Sequence, residues 1–257
     1  MSQNITVTRH ISAAGVGGSG AQVFADANGE QYYVKYQENG QNLRVLANEY
    51  VAGQIAKTNK LLCPDSFLIT IDNLLLTTLA PINGHPISSG PHFGSKRMNN
   101  LYSGPALRSL IPKCSNISDY AGIILFDAWL YNTDRRNDGN YLILTEGSNY
   151  NFCIIDHGHC FGMNWTNVLL QTYLTEWSNA YLDEMYALIN GRVDFDAAID
   201  EINLRDDTFI SNLVDAIPTQ WLSDASESAA LKKYLSVKRD DMENLLNTNS
   251  AKFPNWA

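Results

Sequence analysis

The chain has 257 residues, 45% of them hydrophobic and 18% charged, with 18 Lys and Arg against 27 Asp and Glu for a formal charge of −9. A chain of this length buries ~70–75% of the surface its unfolded form exposes, so it needs no disulfide or metal staple to fold. No apolar run reaches the ~20 residues that span a bilayer, the start Met1-Ser2-Gln3-Asn4-Ile5-Thr6 has no export-signal pattern, and an acidic chain without a basic patch repels a phosphate backbone, so the expectation is a cytoplasmic protein with no nucleic-acid partner and no membrane insertion.

In chain order, Ile5 to Ile11 alternates and is rich in β-branched residues, Ala21 to Ala25 is a second strand and Gln31 to Tyr36 a third. Asp26-Ala27-Asn28-Gly29 is the hairpin turn between the last two, because Asn-Gly tolerates positive φ. Asn42 opens a helix to about Lys57 with Leu43, Leu46, Tyr50 and Val51 on one side. Ser66 to Leu79 suggests two more strands around Asp72-Asn73, and Pro81, Gly84, Pro86, Gly90 and Pro91 punctuate the stretch after them.

The remainder is mainly helical. Ser118 to Leu130 is an apolar helix, followed by a polar loop at Asn132 to Asn140 and two short strands, Tyr141 to Thr145 and Asn151 to Ile155. Further helices are expected at Ala180 to Ile189, Phe195 to Glu201, Asp207 to Ile217 and Ser226 to Thr248. The pattern is an α+β arrangement of two lobes, a β-rich lobe over residues 1–81 and a helical lobe over 82–257. Cys63, Cys114, Cys153 and Cys160 are too scattered for a disulfide framework and form no C-x-x-C pair.

Three segments carry chemistry. Gly15-Val16-Gly17-Gly18-Ser19-Gly20 satisfies G-x-G-x-x-G, and strands on both sides rather than a following helix exclude the dinucleotide fingerprint. A glycine loop between antiparallel strands suits backbone amides laid over ATP phosphates, which makes Gly15, Gly17, Gly18, Ser19 and Gly20 candidate nucleotide contacts. Lys35 ends the third strand in Tyr32-Tyr33-Val34-Lys35, placed to reach the phosphates, and Glu49 on the following helix is its candidate ion-pair partner.

Second, Asn132-Thr133-Asp134-Arg135-Arg136-Asn137-Asp138-Gly139-Asn140 holds polar groups at the edge of a core. Phosphoryl transfer needs a carboxylate near the attacking hydroxyl and an oxygen ligand for Mg²⁺ a few residues on, and Asp134 and Asn140 fit those tasks. Third, Asp156 follows the apolar strand Phe152-Cys153-Ile154-Ile155 and precedes His157-Gly158, a D-x-G arrangement whose aspartate chelates Mg²⁺; it lies 156 − 134 = 22 residues after Asp134. An alternative makes Asp156, His157, His159 and Cys160 ligands of a transition metal. Plainer readings of the same residues are a flexible hairpin loop, a solvated glutamate and a polar turn.

This order of parts resembles the HipA-like kinases and, more distantly, the phosphatidylinositol kinases. The residues that carry the resemblance are Gly17 to Gln22, Lys35, Glu49, Asn132-Thr133-Asp134-Arg135 with Asn140, and Asp156-His157-Gly158; Pro91-His92-Phe93-Gly94 and Ile217-Pro218-Thr219-Gln220-Trp221 also look like stand-alone HipA-like domains. The resemblance implies a two-lobed kinase fold, ATP and Mg²⁺ as ligands, and phosphorylation of serine or threonine on a protein that the sequence does not name. Two departures stand out: Arg136 occupies the place where such loops often carry histidine, and Asn140 falls six residues after Asp134 instead of five, which leaves Asn137 as a substitute. A lipid kinase is the nearest enzymatic rival, but no basic or amphipathic membrane-facing stretch is evident. A pseudokinase acting through a partner is the rival of another class, against which stands the presence of Lys35, Asp134 and Asp156 together.

Overall fold

A computed structural model describes residues 4–15, 20–81, 86–178 and 181–256. Its first part holds β1 (Asn4–Ala13), β2 (Gln22–Asp26), β3 (Gln31–Lys35), α1 (Leu43–Thr58), β4 (Ser66–Ile71), α2 (Asn73–Leu76) and β5 (His92–Lys96). The five strands form a closed barrel in the order β1-β2-β3-β5-β4, shut by parallel pairing of β1 with β4 from Asn4↔Leu68 to Val7↔Ile71. Closure leaves no unpaired edge.

The period of two along β3 decides what the barrel presents. Tyr32 and Val34 point inward to pack with Val7, Phe24, Ile69 and Ile71, so Tyr33 and Lys35 point outward. The β2–β3 turn is built as the sequence suggests: Asp26 Oδ1 accepts from Asn28 N and Glu30 N, both at 2.9 Å, and Gly29 supplies φ +85°. Helix α1 is capped by the Asn42 side chain, which accepts from Val45 N at 3.3 Å. It packs against β4 and β5 on one side and the helical part on another, which is why polar Asn48 and Glu49 are buried along with its apolar residues.

Two expectations are corrected here. Ser66 to Leu79 holds one strand and a short helix, because the Asp72 carboxylate accepts from Leu74 N at 2.9 Å and Leu75 N at 3.4 Å and starts a helical turn. The fifth barrel strand comes from His92–Lys96, beyond the boundary expected at residue 81, so the β-rich part extends to residue 96.

The second part opens with β6 (Leu101–Tyr102) and contains β7 (Tyr141–Glu146) and β8 (Asn149–Ile154), paired in the order β6-β7-β8. Around them stand α3 (Leu107–Leu110), α4 (Tyr120–Trp129), α5 (Asn167–Tyr173), α6 (Asp183–Tyr186), α7 (Asp196–Asn203), α8 (Asp207–Asp215), α9 (Ala225–Asp240) and α10 (Met242–Thr248). The helix expected to begin at Ala180, a residue outside those described, is only the short α6. The long helix expected over 226–248 breaks at Asp241, and the break turns Met242, Leu245 and Leu246 into the core. Helix α5, unforeseen, is capped by Thr166, whose hydroxyl accepts from Leu169 N at 3.2 Å. Among the described residues no helix is long and apolar enough to cross a membrane.

Helix α4 is buried along almost its whole length and is the axis of the larger core, with Trp129, Trp165 and Trp221 among its largest members. Trp221 also ties the two parts together: its indole N–H donates to Pro91 O at 3.1 Å, and its ring meets Tyr50 of α1 at 6.4 Å and 73°. The Pro91–Gly94 and Ile217–Trp221 runs thus meet at one contact. On β5, a Cβ added to Gly94 would lie 2.3 Å from Ile69 Cγ1, so the strand packs only with glycine there. Gly94→Ala is expected to lower stability by ~1–3 kcal/mol, the usual range for overpacking a filled core; urea unfolding of both proteins measures the difference.

Candidate active site

Three charged side chains meet where the barrel faces the helical part. Lys35, at the outward-facing end of β3, is ion-paired with Glu49 Oε1 of α1 and lies 2.9 Å from Asp156 Oδ1, just past β8. The second Glu49 oxygen accepts the backbone N–H of His157 at 2.9 Å, so one glutamate holds both the lysine and the segment that carries Asp156. Burial alone would drive the proton off Lys35, but attraction to Glu49 and Asp156 outweighs it and raises its pKa above the ordinary lysine value. Burial would likewise raise Asp156, yet Lys35 beside it holds the carboxyl well below the usual range. For Glu49 burial wins over the pull of Lys35 and pushes it up to about 7.

One cation therefore serves two carboxylates. The excess negative charge sits at Asp156, whose side chain is 41% exposed, and a divalent cation placed there would offset it. Asp156 also has φ +52°, an uncommon backbone conformation that Asp adopts more readily than most residues. All three groups line a cavity of about 520 Å³ that reaches Gly15 at the start of the glycine loop, Phe93 of the barrel, Asn99 on the connection to β6, and Leu142 on β7. The volume suits a small-molecule ligand.

Gly15 and Gly20 stand at the two ends of the glycine loop with φ +112° and +60°, and Ala14 N donates to Ala21 O at 3.0 Å to close its base. Gly17, Gly18 and Ser19 lie outside the described residues.

The polar loop after α4 is organised from below by Arg135, which is fully enclosed. Its guanidinium meets both oxygens of Asp127, Nε to Oδ2 at 3.0 Å and Nη2 to Oδ1 at 3.2 Å, and donates to Ile155 O at 3.0 Å and to Asn140 O. It thereby joins the end of α4, both ends of the β7–β8 hairpin and the Asp156 segment. Asn132 adds a bond to Asp127 Oδ1 at 2.8 Å and accepts Asp134 N at 3.1 Å. Above this, Asn140 Nδ2 lies 2.7 Å from Asp134 O and 2.8 Å from Asp134 Oδ2. The extra residue before Asn140 is absorbed by a turn in which Asn137 Oδ1 accepts Gly139 N at 3.0 Å, so Asn140 is the asparagine tied closely to Asp134; Asn137 Nδ2 stands 3.5 Å away. The Asp134 carboxylate is 33% exposed, with His159 Nε2 at 4.0 Å.

The transition-metal alternative does not hold. His157 is buried with its Nδ1 3.3 Å from the Arg135 guanidinium, which can only donate; burial keeps this imidazole neutral, its pKa well below the ordinary value. Cys160 is buried in the larger core, and burial raises its thiol pKa well above the usual range. Among the described residues no three His, Cys, Asp or Glu side chains gather to hold a metal ion.

Sequence reasoning missed Asp127 and Asn48. Asp127 had a visible signal, the one charged residue in the apolar run Tyr120 to Leu130. Asn48 had none, since a helical asparagine beside a glutamate is ordinary surface until the packing is known.

A strand lysine anchored by a helix glutamate, facing an aspartate across a cleft between a barrel and a helical lobe, defines a kinase-like phosphotransferase fold. The sequence matches the HipA-like kinase family over residues 14–256. The chain belongs to that family. No protein of curated function is matched. Among solved structures, a Helicobacter pylori proinflammatory kinase, CtkA, is similar with a TM-score of 0.61 at 17% identity, covering 96% of this chain and 98% of its own. The Golgi casein kinase with Mn/ADP bound aligns with a TM-score of 0.47 at 11% identity, over 98% of this chain and 73% of that one. HipA of Shewanella oneidensis MR-1, from its complex with HipB and operator DNA, aligns with a TM-score of 0.44 at 11% identity, over 92% and 66%.

Removing Arg135 leaves Asp127 buried without its cation. Arg135→Met is expected to lower stability by ~3–5 kcal/mol, and adding Asp127→Leu to restore much of it, because a lone buried charge costs more than an apolar pair; chemical denaturation of the single and double variants measures both.

Proposed function

We propose that this chain is a Mg²⁺- and ATP-dependent kinase that transfers the γ-phosphate to a serine or threonine hydroxyl of a protein. The observation that carries the reading is the Lys35–Glu49–Asp156 cluster on the wall of the 520 Å³ cleft. In this reading the Gly15 to Gly20 amides cover the phosphates, and Lys35, aimed by Glu49, neutralises charge on them. Asp156 and the side-chain oxygen of Asn140 would hold Mg²⁺, which would supply further charge stabilisation on the transferring phosphoryl group.

Asp134 takes the acceptor side. It does not line the cleft, its carboxylate is partly open to solvent, and Asn140 donates to its Oδ2 at 2.8 Å. A hydroxyl brought there is oriented by Asp134 and gives up its proton to it as its oxygen bonds to the γ-phosphorus and the bond to ADP breaks. The protein partner is the acceptor, and its identity rests on contacts outside this chain. All four cysteines are free, which suits work in the reducing cytoplasm.

The two aspartates should fail differently. Asp156→Ala removes a charged ligand and is expected to weaken Mg·ATP binding itself, measured by calorimetry. Asp134→Ala is expected to keep nucleotide affinity while turnover with labelled ATP falls by ~10²–10⁴-fold. A wild-type rate in Asp134→Ala would mean that the loop is not catalytic, and a wild type that binds Mg·ATP without turnover would favour a pseudokinase.

A further inference from the structure

We propose that Asn48 is a positioning residue that locks the Asp156 segment to α1, so that the metal-binding geometry is assembled by the fold itself, without phosphorylation of the segment after Asp156. The inference rests on the reading of Asp156 as the Mg²⁺ ligand.

Beyond Asp156 the chain is irregular, with Phe161 at φ +57° and Met163 at φ +67°, and apart from the Cys160 carbonyl, which accepts Met163 N at 3.1 Å, the carbonyls turned toward α1 need partners from outside the segment. Asn48 supplies them. Its Nδ2 lies 2.8 Å from Gly158 O, 2.9 Å from Cys160 O and 3.1 Å from Met163 O, and its Oδ1 accepts the Trp165 indole N–H at 2.8 Å. The orientation of the amide is forced, because carbonyls only accept and an indole N–H only donates. Asn48 is fully buried, as is Trp165.

The neighbours extend the lock along one face of α1. Glu49 accepts His157 N at 2.9 Å. Arg44, one turn before Asn48, lies over the Trp165 ring at 5.6 Å and is ion-paired with buried Glu227 of α9. A Cβ on Gly158 would sit 2.9 Å from Val45 Cγ1, so the segment approaches the helix as closely as glycine allows. Swinging α1 outward, or lifting the Asp156 segment, would break all of these contacts at once, those of Asn48 and Trp165 in a fully buried place. Lys35, Glu49 and Asp156 are thereby held as one rigid constellation.

The test uses the full chain, treated with phosphatase and checked by mass. Calorimetry compares ATP binding with Mg²⁺ and in EDTA, a Mg²⁺ titration at saturating ATP follows turnover, and amide hydrogen exchange reads residues 157–165. Asn48→Asp keeps the shape but turns a carboxylate toward three carbonyls. It is expected to weaken apparent Mg²⁺ affinity by ~10–100-fold, the range for loss of an outer support of a metal ligand, to leave ATP binding in EDTA within about twofold, and to speed exchange over 157–165 selectively. Trp165→Phe removes the indole donor together with part of the buried ring and is expected to give a smaller shift of the same kind; it carries the test if Asn48→Asp does not fold. Unchanged Mg²⁺ dependence and exchange in a folded variant, or a wild type that binds Mg·ATP only when phosphorylated after Asp156, overturns the inference alone. A wild type whose ATP binding ignores Mg²⁺ overturns the underlying metal reading as well.

Discussion

Everything in the cleft depends on one lysine that is kept charged while buried. Lys35 is protonated because two carboxylates face it, and those come from parts of the chain that must first be brought together: Glu49 from α1 and Asp156 from the end of the β7–β8 hairpin. A buried ammonium without partners gives up its proton. The outward register of β3, the fit of α1 between barrel and helical part, and the close approach of the Asp156 segment are therefore parts of a single electrostatic requirement.

The larger lobe meets that requirement from a second buried pair. Arg135 and Asp127 cross-link the end of α4 to the loop that carries Asp134 and to the strand that delivers Asp156. Such a pair adds little net stability compared with apolar packing, since both ions give up their water. What it does provide is direction: five donors in a fixed plane can satisfy carbonyls of two chain segments and a carboxylate simultaneously, which a hydrophobic contact cannot do. The loop of Asp134 and the segment of Asp156 are thus referenced to the same guanidinium.

The two departures from the family pattern have different structural weight. The extra residue before Asn140 is taken up locally, by an Asn137–Gly139 turn, and leaves the Asn140–Asp134 contact in place. Arg136, where related loops often carry histidine, is 60% exposed beside Asp183 at 3.8 Å and does not touch Asp134. The imidazole nearest to Asp134 comes instead from His159, three residues after Asp156; the His159 carbonyl accepts Thr133 N at 3.4 Å.

Much of the fold was readable in sequence because it rests on local rules. The alternation in Gln31 to Tyr36 and the Asn-Gly turn placed the β2–β3 hairpin, the Asn42 cap placed α1, and apolar runs flanking polar loops exposed Asp134 and Asp156 as core-edge carboxylates. The pairing of Lys35 with Glu49 was also within reach, since helix spacing puts Glu49 at the border of the buried stripe. The fifth strand was not, because His92-Phe93-Gly94-Ser95-Lys96 sits among prolines and glycines and becomes a strand only when β3 and β4 offer it edges. Nor were Asn48, Asp127 and Arg135 readable as a framework. Asn48 finds its carbonyls and indole more than 100 residues along the chain, and Arg135 and Asp127 find each other only because the loop folds back on α4, and no spacing rule records which polar side chain will meet which. Tertiary packing alone decided that, by enclosing these groups where each donor and acceptor had to be matched.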